Sequence, residues 1–304
     1  MVDFKDIEIR DKQWIDPLLR MSDYRGSEYV FSNNYNWKDI YHIQVAQVGG
    51  YYCVRSGLGE ERSYLYPAGS GDVKPVIEAL IQDAKDRGCP FWMHGVTKEN
   101  VALLETLFPG TFSFEENRDG FDYIYNAVDL ATLAGKKYHG KRNHITKFKS
   151  NHPDWTYEPI TPENIEECRA MNKIWCEKQG DCEDPSLKQE MCAVKKALDH
   201  FFEEGLSGGM IRTSDEGIVA YSIGAPLSSD TFIVHIEKAF AEVQGAYPII
   251  NQEFVRHNCM DYQYVNREDD VGDEGLRKAK LSYKPAILLE KYLVRLKSEM
   301  KDAR

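Results

Sequence analysis

Three β-rich runs in immediate succession, "GGMIRT", "IVAYSIGA" and "TFIVHIEKA", separated only by "SDEG" and "PLSSD", constrain the fold more than any other feature of the chain. Gly, Ser, Asp and Pro supply turn backbones between runs of strand-forming residues, so these segments read as three consecutive antiparallel strands. Their flanks are helical. A strand "WTYEPI" is followed by Thr161-Pro162-Glu163, an N-cap, an N1 proline and a first-turn acid. Ile165, Cys168, Met171 and Trp175 then recur at helical spacing up to Gly180. A second helix over 185–204 carries Leu187, Met191, Val194, Leu198 and Phe201 on one face, with Gly205 beyond its end. After the three strands, Gly245 precedes an amphipathic helix "AYPIINQEFVRHN", a strand "YQYVNRE", a further helix, and "PAILLEKYLVRL" as the closing strand. The order β-α-α-β-β-β-α-β-α-β describes an α+β domain with a mixed, mostly antiparallel sheet flanked by helices.

The first half repeats this order in a thinner form. A helix near 11–21 leads to strands "IYHIQVAQV", "YYCVRS" and "RSYLYPA", a helix over 73–87, the strand "PFWMHGV" and a helix over 97–108. A hairpin "FSFEEN-RDG-FDYIYNA" ends it. The shared order, without visible identity between the halves, suggests a tandem duplication. The expected division is an N-terminal domain over 1–130, a basic interdomain helix over 131–153, and a C-terminal domain over 154–304 that carries the chemistry. From Leu130 to Pro153 there is no carboxylate, while Lys136, Lys137, Lys141, Arg142, Lys147 and Lys149 are interleaved with aromatic and His residues. Either this helix meets a phosphate-rich partner through Lys141 and Arg142, or it is a solvated face balancing an acidic protein.

Composition narrows the classes. A net charge of −11 argues against nucleic-acid binding by the surface as a whole, since phosphate contacts need clustered Lys and Arg. Seven cysteines without a C-x-x-C pair suggest neither a disulfide framework nor a zinc site, and a reducing cytoplasm fits them. "MVDFKDIEIRDKQW" lacks the basic and apolar regions of a signal peptide, and the longest apolar runs are strand-sized, so a soluble, cytoplasmic protein without a transmembrane segment is expected. No G-x-S-x-G elbow or P-loop is present, and "DDVGDEGLRKAK" lacks the ligand spacing of a calcium loop, so no metal is expected.

The candidate site residues lie in the second half. His235 and Glu237 sit two apart in one strand, which places them on one face, either as a buried pair or as a base with its orienting partner. Gly245-Ala246 opens a helix whose N–H groups can hold a phosphate, or is simply a glycine turn. "NREDDVGDEGLRKAKLSYKP", residues 266–285, places five carboxylates before a run of Lys and Arg. Asn266, Arg267, Glu268, Asp269 and Asp270 follow the fifth strand, where the carboxylates suit an ammonium group; solvated acids are the plain alternative for Glu268 and Asp273, less so for Asp269 and Asp270. In a helix from Glu274, Arg277, Lys280 and Lys284 share an edge that suits an anionic group, beside Tyr283. Macrodipole complementarity alone explains the charge order but not the tyrosine.

"GKKYHGKRNHITKF", "VHIEKA" and the G-x-x-G-L-R-x-x-K-x-x-Y spacing inside "NREDDVGDEGLRKAKLSYKP" together resemble the C-terminal catalytic region of the phosphatidylglycerol lysyltransferase family, whose members are built as two fused GNAT domains. Fem-type peptidyltransferases share that tandem plan. The resemblance covers nearly the whole chain, and departs in lacking the membrane helices that precede this region in the lipid-modifying enzymes. It implies two fused GNAT-like (acyl-CoA N-acyltransferase) domains and transfer of an aminoacyl or acyl group to an amine or hydroxyl of a small-molecule acceptor. The implied donor is an aminoacyl-tRNA or an acyl-CoA, with no tightly bound cofactor. It further implies Glu237 as general base on the fourth strand, Tyr283 as the late tyrosine that protonates the leaving group, and Gly245-Ala246 as the pyrophosphate site. Here "EVQGAYPI" departs from the R/Q-x-x-G-x-G/A pattern, lacking a second glycine at the right spacing. The rival readings are a CoA-dependent N-acetyltransferase on a small amine and a non-catalytic binding protein on the same fold.

Overall fold

In a computed structural model of the chain, residues 1–178 and 185–300 are described; the helix stop expected at Gly180 lies outside them. The chain forms two compact units, and both are discontinuous: 1–123 with 269–278 and 288–304, and 124–268 with 279–287. Each is a mixed sheet flanked by helices, as expected for GNAT-like domains. The expected bounds at 130 and 154 assumed that each sheet is built from one continuous stretch, and the strands do not respect that.

The first sheet runs in the order Lys5–Asp6, Gln44–Val48, Tyr51–Ser56, Ser63–Leu65, Trp92–Thr97, Lys291–Leu296, Phe112–Glu116, with Ala68–Gly69 paired to Tyr51–Ser56. Its one parallel contact, between Ser63–Leu65 and Trp92–Thr97, needs a crossover, and the helix Lys74–Asp86 supplies it. That helix buries Val76, Ile77, Leu80 and Ala84 against Cys53, Tyr64, Phe91 and Met93. Each fully buried aliphatic side chain contributes on the order of 1.5–3 kcal/mol. The closing segment divides: Ile287–Leu289 lies in the second sheet and Lys291–Leu296 in the first, where it pairs with Phe112–Glu116. The expected hairpin over 112–126 therefore does not form, and Asp122–Asn126 pairs with Tyr264–Asn266 instead. Burial explains the difference. Phe112–Glu116 grows exposed along its length, whereas Tyr123, Ile124 and Tyr125 are consecutive and all buried, the mark of a strand covered on both faces.

The second sheet runs Ile287–Leu289, Asp122–Asn126, Tyr264–Asn266, Thr231–Ala239, Gly217–Pro226, Ser207–Thr213, Thr156–Pro159. The three strands expected at its centre form an antiparallel meander. Thr231–Ala239 then connects through the helix Ala246–Asn258 to Tyr264–Asn266, which runs parallel to it. The register between Gly217–Pro226 and Thr231–Ala239 slips: Gly224 faces Val234 and Ile223 faces Ile236, which leaves His235 as the extra residue of a bulge. Gly224 permits the close approach, since a Cβ there would stand 2.1 Å from Ile233 O. No helix among the described residues is long and apolar enough to cross a membrane.

Candidate functional site

Thr231–Ala239 and Tyr264–Asn266 pair over only three residues each, Thr231 to Ile233 against Tyr264 to Asn266. Beyond that the first strand continues and the second leaves the sheet, so side chains cross the widening gap. Arg267 Nη2 donates to Glu237 Oε1 at 2.7 Å, and His235 Nδ1 lies 2.7 Å from Glu268 Oε1. His235 and Glu237 are thus not each other's partners. Strict alternation would have put them on one face, and the bulge at His235 breaks the alternation between them. Glu268, which could have been a solvated acid, is the partner of His235.

Around Arg267 the second unit assembles a cation-rich, half-buried cluster. The Glu237 carboxylate is also held by Asn251 Nδ2 at 2.9 Å. The Arg267 guanidinium lies 4.8 Å from the Tyr283 ring centre, and Lys141 Nζ lies 3.9 Å from the same ring. Tyr125 donates to Lys280 O at 2.8 Å and Tyr138 to Tyr283 O at 3.0 Å, which fixes the turn that carries Tyr283. Two buried polar atoms are left over: Arg267 Nη1 and Asn251 Oδ1 make no hydrogen bond, although Asn251 is only 1% exposed. Native interiors seldom leave such groups orphaned, so this donor and this acceptor beside Glu237 are the polar atoms of the cluster that can still take a hydrogen bond. Burial, and next the neighbouring Arg267 charge, push the Lys141 amine down to about 8, with Glu237 acting against them. Burial holds the Tyr283 hydroxyl above its ordinary value against the pull of Arg267, so it stays protonated.

The remaining expected residues have other duties. Asn266 Oδ1 accepts the Glu268 N–H at 2.6 Å, closing an Asx turn that supports the positive φ of Glu268. Lys280 donates to Arg267 O at 2.7 Å, so it pins the backbone of the site and does not present a cationic edge with Arg277. The helix Glu274–Ser282 ends before Lys284. Asp269, Asp270 and Arg277 belong to the first unit, whereas Asn266, Arg267, Lys280 and Tyr283 belong to the second, so "NREDDVGDEGLRKAKLSYKP" contributes to both. Asp270 is fully buried and accepts from Arg277 Nε and Nη2 at 2.9 and 2.7 Å, from Arg118 at 3.3 Å and from the Tyr123 hydroxyl. Arg277 also donates to Asp119 at 2.8 Å, so neither Asp270 nor Arg277 is left to grip a substrate. Asp269 lies close enough to Lys291 and Tyr41 for its charge to act on both.

Gly245 and Ala246 are poorly placed to hold a pyrophosphate. A Cβ on Gly245 would meet His144 O at 2.4 Å, so the helix His139–Asn151 already crosses this point. In the first turn the Ala246 N–H goes to Val243 O and that of Ile249 to Gly245 O, while Pro248 has none. Arg142 donates to Leu133 O and to Gly135 O, the latter at 2.7 Å, and so caps the helix Ala127–Thr132. Asn251 was not among the expected residues. The available signal was a polar residue at helical spacing between Tyr247 and Phe254, on a face that is otherwise apolar.

The family model for the C-terminal part of phosphatidylglycerol lysyltransferase matches residues 19–295. A conserved protein of unknown function from Bacteroides thetaiotaomicron VPI-5482 is 42% identical with a TM-score of 0.94, covering 98% of this chain and 100% of that one. L-PGS from Bacillus licheniformis superposes with a TM-score of 0.66 at 17% identity, covering 94% and 92%, a likeness of fold. An uncharacterized protein of Mycoplasmoides gallisepticum is 25% identical over 177 residues, 58% of this chain; the chain spans 56% of the length of that relative.

Proposed function

Since the chain belongs to the phosphatidylglycerol lysyltransferase C-terminal family, we propose that it is an acyltransferase that moves an aminoacyl group from an aminoacyl-tRNA to an amine or hydroxyl of a small acceptor. The observation that carries this reading is the buried, unpartnered Arg267 Nη1, fixed by Glu237 and set beside Lys141 and Tyr283. Acyl transfer develops negative charge on the carbonyl oxygen, and a preorganised donor in a desolvated site stabilises it. The acceptor attacks the carbonyl carbon, the oxyanion forms at Arg267 Nη1, and the neutral form of Lys141 takes the proton from the attacking group. Collapse breaks the ester bond, and the Tyr283 hydroxyl gives its proton to the departing ribose oxygen. Glu237, with both oxygens engaged, is a positioning residue for Arg267 in this scheme and not the base expected from its place on the strand.

Acyl-CoA is the less suited donor, because the Ala246 N–H is already bonded to Val243 O, Pro248 has none, and a Cβ at Gly245 would meet His144 O. The test is donor competition: purified chain, mixed radiolabelled aminoacyl-tRNAs or acetyl-CoA, and a panel of amine and hydroxyl acceptors. Label should move from aminoacyl-tRNA to an acceptor; transfer from acetyl-CoA alone overturns the reading.

A further inference from the structure

We propose that His152, Asp215 and Glu216 bind a divalent transition-metal ion of the zinc class, at a site separate from the Glu237 cluster. His152 caps the C-terminus of the helix His139–Asn151, its N–H donating to Phe148 O at 2.9 Å and its ring packed on Phe148 at 5.0 Å. It is only 9% exposed, and its Nδ1 is buried and makes no hydrogen bond. The nearest charged atom, Asp215 Oδ1, is 3.5 Å away. That is long for an N–H···O bond, whose usual length is about 2.9 Å. It is close to the roughly 3.3 Å that separates two ligands of one tetrahedral ion with bonds of about 2.0–2.1 Å.

The turn that carries the two carboxylates is held beside His152. Asp215 and Glu216 are consecutive in the three-residue turn between Ser207–Thr213 and Gly217–Pro226, which closes through Gly217 at φ +73°. The Glu216 N–H donates to Thr213 Oγ1 at 3.3 Å and the Ser214 N–H to Asp154 Oδ2 at 3.0 Å, so the turn is tied down on both sides. One ring nitrogen and one oxygen from each carboxylate fall within 4.8 Å of one another. A single imidazole with two carboxylates suits zinc better than calcium or magnesium, which favour all-oxygen shells of higher number. Sequence spacing gave no hint, because helix end and turn are far apart along the chain. The ion would join the end of the helix that carries Lys141 to the adjoining hairpin.

Zinc titration of the chelator-stripped full chain by calorimetry, with thermal unfolding in parallel, tests the site. The wild type should bind one zinc ion and unfold at a higher temperature with it. His152→Asn, and the exposed double change Asp215→Asn with Glu216→Gln, should each weaken binding at least tenfold and abolish the thermal shift. Absence of zinc binding in the wild type overturns the proposal, as does affinity unchanged in the carboxylate double variant, or magnesium binding as tight as zinc.

Discussion

Arg267 is a charge removed from water that keeps one donor idle, and the side chains around it decide what that donor can do. Glu237 neutralises it, Tyr283 covers it, and Lys280 fixes its backbone. The same desolvation acts on Lys141, and its sign is informative. Its folded value, about 8, lies below the ordinary lysine value, so folding favours the neutral amine. Below about pH 8 the protonated amine costs stability, and that cost is relieved as pH rises toward the unfolded value near ~10.4. If Lys141 accepts the proton, turnover should rise through an apparent ionisation near 8, and Lys141→Met should lower kcat by on the order of 100-fold and remove that limb. A pH–rate profile checks this; a limb that survives the substitution assigns the proton to another group.

At the scale of elements, the segment after Asn266 is strained and clamped. Glu268 and Val271 both have positive φ, 57° and 44°, and a β-branched residue there is a genuine outlier. Val271 is 76% exposed and packs on little, so Val271→Gly should raise stability by about 1 kcal/mol in a urea titration. The clamp is Asp270. Burial pushes its carboxyl up, but hydrogen bonds from Arg277, Tyr123 and the Gly272 N–H outweigh burial and hold it far below the usual range. Its contribution to stability is therefore present above ~4 and lost only as pH falls through the lower folded value, in strong acid. Asp270→Asn, which leaves Arg277 facing a neutral amide, should cost about 3 kcal/mol at neutral pH by the same titration.

Much of this architecture was legible. The helices expected near 11–21, over 73–87 and in "AYPIINQEFVRHN" form as Lys12–Ser22, Lys74–Asp86 and Ala246–Asn258, because helix signals are local. The fate of strands was not, because pairing is settled by partners far along the chain. "RDG" between two β runs reads as a hairpin, yet its arms enter different sheets. The short helix Phe31–Asn36, rich in poor helix formers, was invisible because its stability comes from burying Phe31 and Tyr35. The bulge at His235 leaves no trace in composition, which is why Glu237 was read with the wrong partner. Lys141 was visible as one charge in a basic run, but its seat on Tyr283 was not.

For the whole molecule, a net charge of −11 must coexist with any grip on a polyanionic donor. Of the six cations over 136–149, Lys137 pairs with Asp129 at 3.1 Å, Lys149 lies 3.9 Å from Glu253, Arg142 caps a helix and Lys141 sits on Tyr283. Exposed pairs such as Lys137 with Asp129 are worth little and can yield to phosphate, so the local basic stretch remains compatible with tRNA as donor. The proposed chemistry depends above all on the idle donor of Arg267. The most direct measurement is single-turnover transfer from aminoacyl-tRNA by the wild type and by Arg267→Lys, with folding checked by circular dichroism. Loss of about 100- to 1000-fold in rate with donor binding preserved is the predicted result; a folded variant that transfers at the wild-type rate contradicts it.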